Sequence, residues 1–124
     1  MDTNHERWMA SLFASIDRMD AAAFAGHLAP EARFAFGNAP PVSGREAIGQ
    51  AVAGFFGALG GLRHAIERHW SCGDTLICHG TVTYRRKDGS EVALPFANVM
   101  TLAGGLATDY RIYADLTPLF APAA

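Results

Sequence analysis

The sequence predicts an α+β fold: a cone-shaped, curved antiparallel sheet wrapped on one face by three N-terminal helices. Three observations carry this expectation. Apolar residues in the first half recur at the three- and four-residue spacing of a helix, whereas those in the second half alternate. Each corner between alternating runs carries Gly with Asp, Lys or a second Gly, which is hairpin chemistry. Helical and strand signals are segregated along the chain, which favours helices over an antiparallel sheet rather than a parallel βαβ layout.

The elements follow in order. Thr3 and Glu6 have capping-box spacing, and Trp8, Met9, Leu12, Phe13, Ile16 and Met19 form the apolar stripe of a first helix. Asp20 is placed to cap a short second helix with Phe24 and Leu28 on its inner face, ended by Pro30. Ala32–Phe36 reads as a short strand and Gly37–Pro41 as a loop. Ser43 and Glu46 repeat the capping-box pattern before Ile48, Val52, Phe55, Phe56 and Leu59, the stripe of a third helix that Gly60-Gly61 stops. Strands then read Leu62–Ser71, Thr75–Arg86, Ser90–Leu102 and Leu106–Ala114.

Register can be read at one hairpin. A three-residue loop Lys87-Asp88-Gly89, with Gly left-handed, pairs Arg86 with Ser90. Val92, Leu94, Phe96 and Asn98 then oppose Tyr84, Val82, Gly80 and Cys78 on one inner face. Asn98 is the odd member, an amide on an apolar face, and a buried amide must be met by protein, water or ligand. On the last strand Arg111, Tyr113 and Asp115 share one face and Tyr110, Ile112 and Ala114 the other. Alternation alone leaves open which of these looks inward.

Composition bounds the function. The chain has 124 residues, one domain's worth spanning 1–124, and is 50% hydrophobic and 18% charged with net charge −2. No basic stripe is present, so no nucleic-acid partner is expected. The uncharged runs Ala47–Leu62 and Val92–Thr108 are too short for a membrane span of about 20 residues. The start is polar and acidic, without the pattern of a signal peptide. Cys72 and Cys78 lack zinc-finger spacing, and two free thiols in a reducing cytoplasm is the expectation. Gly60-Gly61 and Gly104-Gly105 are turns, not phosphate cradles, so no metal, nucleotide or flavin cofactor is inferred.

Four segments resemble the nuclear transport factor 2-like, or SnoaL-like, superfamily. They are Ser15–Asp20, Val42–Ile48, Pro95–Val99 and Tyr110–Asp115, and they come in that family's order over nearly the whole chain. Relatives include ketosteroid isomerase, scytalone dehydratase, limonene epoxide hydrolase and the polyketide cyclases. The resemblance implies an α+β cone with an internal pocket. Carried over by position, the ketosteroid isomerase base falls on Phe36, its oxyanion tyrosine on Leu12 and its protonated aspartic acid on Asn98. Steroid isomerisation by that route is therefore disfavoured. Scytalone dehydratase is similar at Asp17, His64 and Asn98, and limonene epoxide hydrolase places its base on Asp115. No relative's full catalytic set is present.

These residues define the expected site. His64 is the acid/base, charged and oriented by Asp17, with Asn98 donating to a substrate oxygen. Asp115, held by Arg111 and Tyr113, is a second candidate base. Phe36, Phe56, Phe96 and Leu12 are expected pocket wall. The bland alternatives are a helix-end carboxylate at Asp17, a satisfied core histidine at His64, a backbone-paired amide at Asn98 and an Arg111 ion pair at Asp115. The expected function is a cofactor-free lyase, isomerase or hydrolase acting on a largely apolar oxygenated small molecule. The alternatives are a non-catalytic binding module and a dimeric interaction domain with a vestigial pocket. A homodimer is expected through the outer sheet face, with His79, Thr81, Thr83 and, if outward, Tyr110; His5 and His69 are expected at the surface or interface.

Overall fold

The computed structural model describes residues Thr3–Phe120. Helices α1 (Thr3–Asp17), α2 (Ala21–Ala25) and α3 (Arg45–Gly57) interleave with strands β1 (Leu28–Phe36) and β2 (Val42–Ser43). Strands β3 (Gly61–Cys72), β4 (Thr75–Arg85), β5 (Glu91–Ala103) and β6 (Leu106–Tyr113) follow, and a short α4 (Thr117–Phe120) ends the described chain. The strands form one curled sheet in the order β2-β1-β6-β5-β4-β3. All pairings are antiparallel except β1 with β6, which run parallel.

Helix α1 buries Met9, Leu12, Phe13 and Ile16, its expected stripe, while the cap expected of Thr3 lies outside the described side chains. It ends in a Schellman motif: Met19 N–H bonds Ile16 O at 2.8 Å and Asp20 N–H bonds Ser15 O at 3.0 Å. Met19 occupies the left-handed position at φ 54°, normally a glycine's place. This tight stop leaves Asp17 in the last turn. Asp20 caps α2 as expected, its carboxylate accepting from Ala23 N–H at 3.0 Å.

Three boundaries differ from expectation. Helix α2 ends at Ala25, so Leu28 opens β1 and Pro30 sits inside the strand. The cause is capture by β6: Ala107 N–H bonds His27 O at 2.9 Å. Pro30 falls where the β1–β6 register slips, so its missing N–H breaks no regular ladder. Ser43 does not cap α3, because it pairs with Arg33 in β2. The cap is Gly44 at φ 95°, with no side-chain bond. Helix α3 ends at Gly57, before Gly60-Gly61. Those glycines instead admit close neighbours: a Cβ on Gly60 would lie 2.8 Å from Arg86 O, and one on Gly61 2.9 Å from Arg85 Nη2.

The β4–β5 register is the expected one, with Tyr84↔Val92, Val82↔Leu94, Gly80↔Phe96 and Cys78↔Asn98. Arg86 N–H bonds Ser90 O at 2.8 Å, and Gly89 takes φ 90°. Strand β3 slips register against β4 between Ile66 and Arg68. A Cβ on Gly80 would meet Ala65 O at 2.0 Å, so the bare glycine lets β3 press onto β4 where it bends. This bend helps curl the sheet around its core.

On β6, Tyr110 is fully buried and faces inward, which removes it from the outer face. It meets Phe24 (centroids 5.7 Å) and Phe34 (5.4 Å) under the helices. His27 ties α2 to α1: its Nδ1 lies 2.9 Å from Ala23 O and its Nε2 2.9 Å from Ser11 Oγ. Helix α3 carries one removable weakness. Gly54 is exposed mid-helix, and a Cβ there would touch nothing within 4 Å. Gly54→Ala is expected to raise stability by about 0.5–1 kcal/mol in urea unfolding, through lost unfolded-state freedom. A decrease would place an unseen contact at that position. Among the described residues no helix is long and apolar enough to cross a membrane.

Candidate functional site

The concave faces of β1, β4, β5 and β6 close with α1, α2, α3 and the start of β3 around a cavity. Its wall is largely aromatic: Phe24, Phe34, Phe36, Phe55, Phe56 and Phe96, with Tyr84 and Tyr110. About 40 Å³ is open to the centre of a water-sized group. Beyond the two phenols, the polar groups on the wall are His64 and Asn98.

His64 and Asp17 form a close pair. His64 Nδ1 lies 2.7 Å from Asp17 Oδ1, and His64 N–H donates to Asp17 Oδ2 at 3.2 Å. A carboxylate only accepts, so Nδ1 carries the proton and Nε2 is the basic edge of the neutral ring. Asp17 lies outside the cavity wall and His64 lies on it. Phe13 (4.8 Å) and Phe96 (5.2 Å, perpendicular) clamp the imidazole. Asp17 stands at the C-terminal end of α1, where the helix dipole disfavours negative charge, and the two His64 donors offset that.

Asn98 is 2% exposed. Its Nδ2 lies 3.4 Å from the Tyr110 hydroxyl, and its Oδ1 has no protein partner. The surrounding acids stay neutral. Burial pushes the Cys78 thiol up to about 12, against a smaller opposing pull from the Asn98 backbone. Burial also pushes the Tyr84 phenol up to about 12 and Tyr110 well above its usual value, the latter with help from Cys78 and Tyr84.

These shifts make an alkaline prediction. Tyr84 and Cys78 ionise at lower pH in the unfolded chain, from 10.0 and 9.0, than in the folded one, at about 12. Their stability contribution is therefore intact below pH 9 and falls away from 9 towards 12. Tyr84 accounts for about 3 kcal/mol of that fall. Urea unfolding across this range should show the decline, and Tyr84→Phe should flatten it above pH 10; an unchanged slope would refute the assignment to Tyr84.

The structure gathers His64, Asn98, Phe36, Phe56 and Phe96 on the cavity wall, with Asp17 behind His64. It separates the others. Leu12 is fully buried in the helix–sheet core, away from the cavity wall. Because Tyr110 and Ile112 take the inward face of β6, alternation sends Arg111 and Tyr113 outward. Arg111 pairs with Asp109 at 2.8 Å rather than with Asp115. Asp115 is exposed and accepts from Thr117 N–H at 3.0 Å at the start of α4; the Thr117 hydroxyl and N–H hold its carboxyl below the usual range. It is a turn carboxylate, not a base in the cavity.

Tyr84 and Tyr110 are site residues that the sequence reasoning did not assign. For Tyr84 the signal was its place on the inner face beside Val82; for Tyr110 alternation offered none, because both faces of its strand are partly aromatic. Among the described residues no group of three or more His, Cys, Asp or Glu is arranged to hold a metal ion.

A family model described as a SnoaL-like domain matches residues 7–110. No curated protein matches the chain. Among solved structures, a putative SnoaL-like polyketide cyclase from Jannaschia sp. CCS1 is similar at 21% identity and TM-score 0.85, covering 98% of this chain and 95% of that one. A protein with a ketosteroid isomerase-like fold from Catenulispora acidiphila, in complex with trimethylamine, is similar at 17% identity and TM-score 0.82, covering 89% and 86%. An epoxide hydrolase of the LEH-like type from M. tuberculosis is similar at 16% identity and TM-score 0.81, covering 95% and 87%. At these identities the likeness shows the fold.

Proposed function

This chain belongs to the SnoaL-like domain family, and we propose that its cavity binds a largely apolar, oxygenated small molecule and processes it by cofactor-free acid/base chemistry. The observation that carries this reading is the 2.7 Å His64–Asp17 pair, set behind an apolar cavity with Nε2 as its basic edge. In this reading Nε2 takes a proton from a carbon or a hydroxyl of the ligand, and Asp17 balances the imidazolium that forms. The Asn98–Tyr110 pair, on the same cavity wall, holds a ligand oxygen. Isomerisation, elimination or water addition each needs only these parts.

The test is carbon-bound proton exchange. The protein is incubated in D2O with small cyclic ketones and hydroxyketones, and deuterium uptake is followed by NMR. His64→Gln is expected to reduce exchange at least about 100-fold, and Asp17→Asn to reduce it less. Exchange equal to buffer in the wild type, with the probes bound, would reassign the cavity to a non-catalytic binding module.

We propose further that two copies pair through the outer sheet face. There Trp70 stacks on His79 at 5.6 Å, Thr81 and Thr83 are half-buried, and Trp70 and Tyr113 are 47% and 54% exposed. Light scattering at micromolar concentration is expected to show a dimer; a monomer alone would overturn the pairing. The two free thiols suit a reducing, cytoplasmic setting.

A further inference from the structure

We propose that Ser11 and His27 form a second reactive centre, outside the cavity, at which Ser11 takes the acyl group of small activated esters with His27 as its general base. Neither residue lies on the cavity wall, so this centre stands apart from the acid/base reading of His64.

Two serines of α1 send their hydroxyls to different places. A helical serine ordinarily returns its hydroxyl to a carbonyl three or four residues back, and Ser15 does so, donating to Leu12 O at 2.6 Å. Ser11 is exposed on the same helix, and its Oγ lies 2.9 Å from His27 Nε2. The other ring nitrogen fixes the tautomer. His27 Nδ1 lies 2.9 Å from Ala23 O, and a carbonyl only accepts, so Nδ1 carries the proton. Nε2 of the neutral ring is then a lone pair, and the Ser11 hydroxyl donates to it. A nucleophile, a base and a third group that orients the base stand within hydrogen-bond reach, which is the arrangement that activates a serine hydroxyl.

The imidazole is also held in place. His27 follows Gly26, the C-cap of α2. Its N–H bonds Phe24 O at 3.0 Å, and its carbonyl accepts from Ala107 N–H at 2.9 Å. The Trp8 ring, one turn before Ser11, meets the imidazole edge-on with centroids 5.7 Å apart. A base fixed in this way needs little reorganisation to receive a proton. In the acyl transfer, Ser11 Oγ bonds the ester carbonyl carbon while its proton passes to Nε2. The bond from that carbon to the leaving phenolate breaks, and the imidazolium returns its proton to water. The group that orients His27 is a neutral carbonyl, which balances an imidazolium less well than a carboxylate does. The centre is therefore matched to esters with a good leaving group, and the exposure of Ser11 leaves it open to small ones in solution.

The test is a map of reacted serines. The full chain is exposed to p-nitrophenyl acetate for timed intervals, quenched in acid and mapped by peptide mass spectrometry. Phenylmethanesulfonyl fluoride, whose serine ester does not turn over, is run in parallel. Ser11 is expected to react about tenfold or more faster than the exposed Ser43. It should also outpace Ser71, which meets a different ring nitrogen, His5 Nδ1, at 2.9 Å. His27→Asn supplies an amide donor for Ala23 O but no imidazole base for Ser11, and should bring Ser11 down to the rate of Ser43. His64→Gln, in the cavity, should leave the Ser11 rate unchanged. Circular dichroism reports whether the His27 variant folds; if it does not, the wild-type map decides alone. Ser11 reacting no faster than Ser43 or Ser71 with either reagent, or a rate retained by folded His27→Asn, would overturn the proposal and leave the contact as a tie between α1 and α2.

Discussion

Gly80→Ala is expected to cost about 3 kcal/mol of folding stability, the upper end of typical overpacking penalties. The added Cβ would lie 2.0 Å from Ala65 O and 3.0 Å from both Ala65 C and Ile66 Cα. All three are backbone atoms, so no side chain can swing away. Relief requires β3 to lift from β4, and β3 carries His64. Urea unfolding should show a large drop in midpoint, and the His64 resonances should shift even where the variant remains folded. Stability within 0.5 kcal/mol of wild type would mean that β3 does not press on β4 at this point.

Phe96→Ala is expected to cost about 3–5 kcal/mol, as for other buried aromatic truncations. Phe96 is 5% exposed, lies 6.1 Å from Phe13 and meets His64 edge-on at 5.2 Å. Its removal enlarges the cavity and frees one side of the imidazole, so the His64 ring resonances should shift and broaden. Denaturant unfolding and NMR of the His64 ring read the two effects separately. A loss below 1 kcal/mol would show that the wall collapses into the space.

The sheet half of the molecule was legible because alternation and turn chemistry are local. Placing Gly89 in the left-handed position fixed Arg86 opposite Ser90, and every inward pair down to Cys78↔Asn98 followed. The same logic puts Asn98 and Phe96 on one face. The closeness of Asp17 and His64 is a long-range contact that periodicity does not contain; it was anticipated through family resemblance. The last strand marks where local reasoning stops. Its two faces, Tyr110–Ile112 and Arg111–Tyr113, are both partly aromatic, so alternation had no means of choosing. The choice is made by Phe24 and Phe34, residues remote in sequence that pack on Tyr110. That one decision took Arg111, Tyr113 and Asp115 out of the cavity. The boundaries at Pro30 and Ser43 were missed for a related reason: tertiary pairing with β6 and β1 overrode local stop and cap signals.

The parallel contact of β1 with β6 has a consequence in time. The β3–β4–β5–β6 meander closes through short turns, which form on about the microsecond scale. Joining Phe36 to Ile112 requires closing nearly the whole intervening chain, so its entropy is lost before its contacts are gained. The meander should therefore assemble first, carrying His64, Tyr84, Asn98 and Tyr110, and β1 should dock last, bringing Phe34 and Phe36 to shut the cavity. Until then the polar wall faces water, where each group hydrates freely. Pulse-labelled hydrogen exchange during refolding should protect β4 and β5 amides ahead of those in β1; simultaneous protection would mean that the distant strands find each other as early as the near ones.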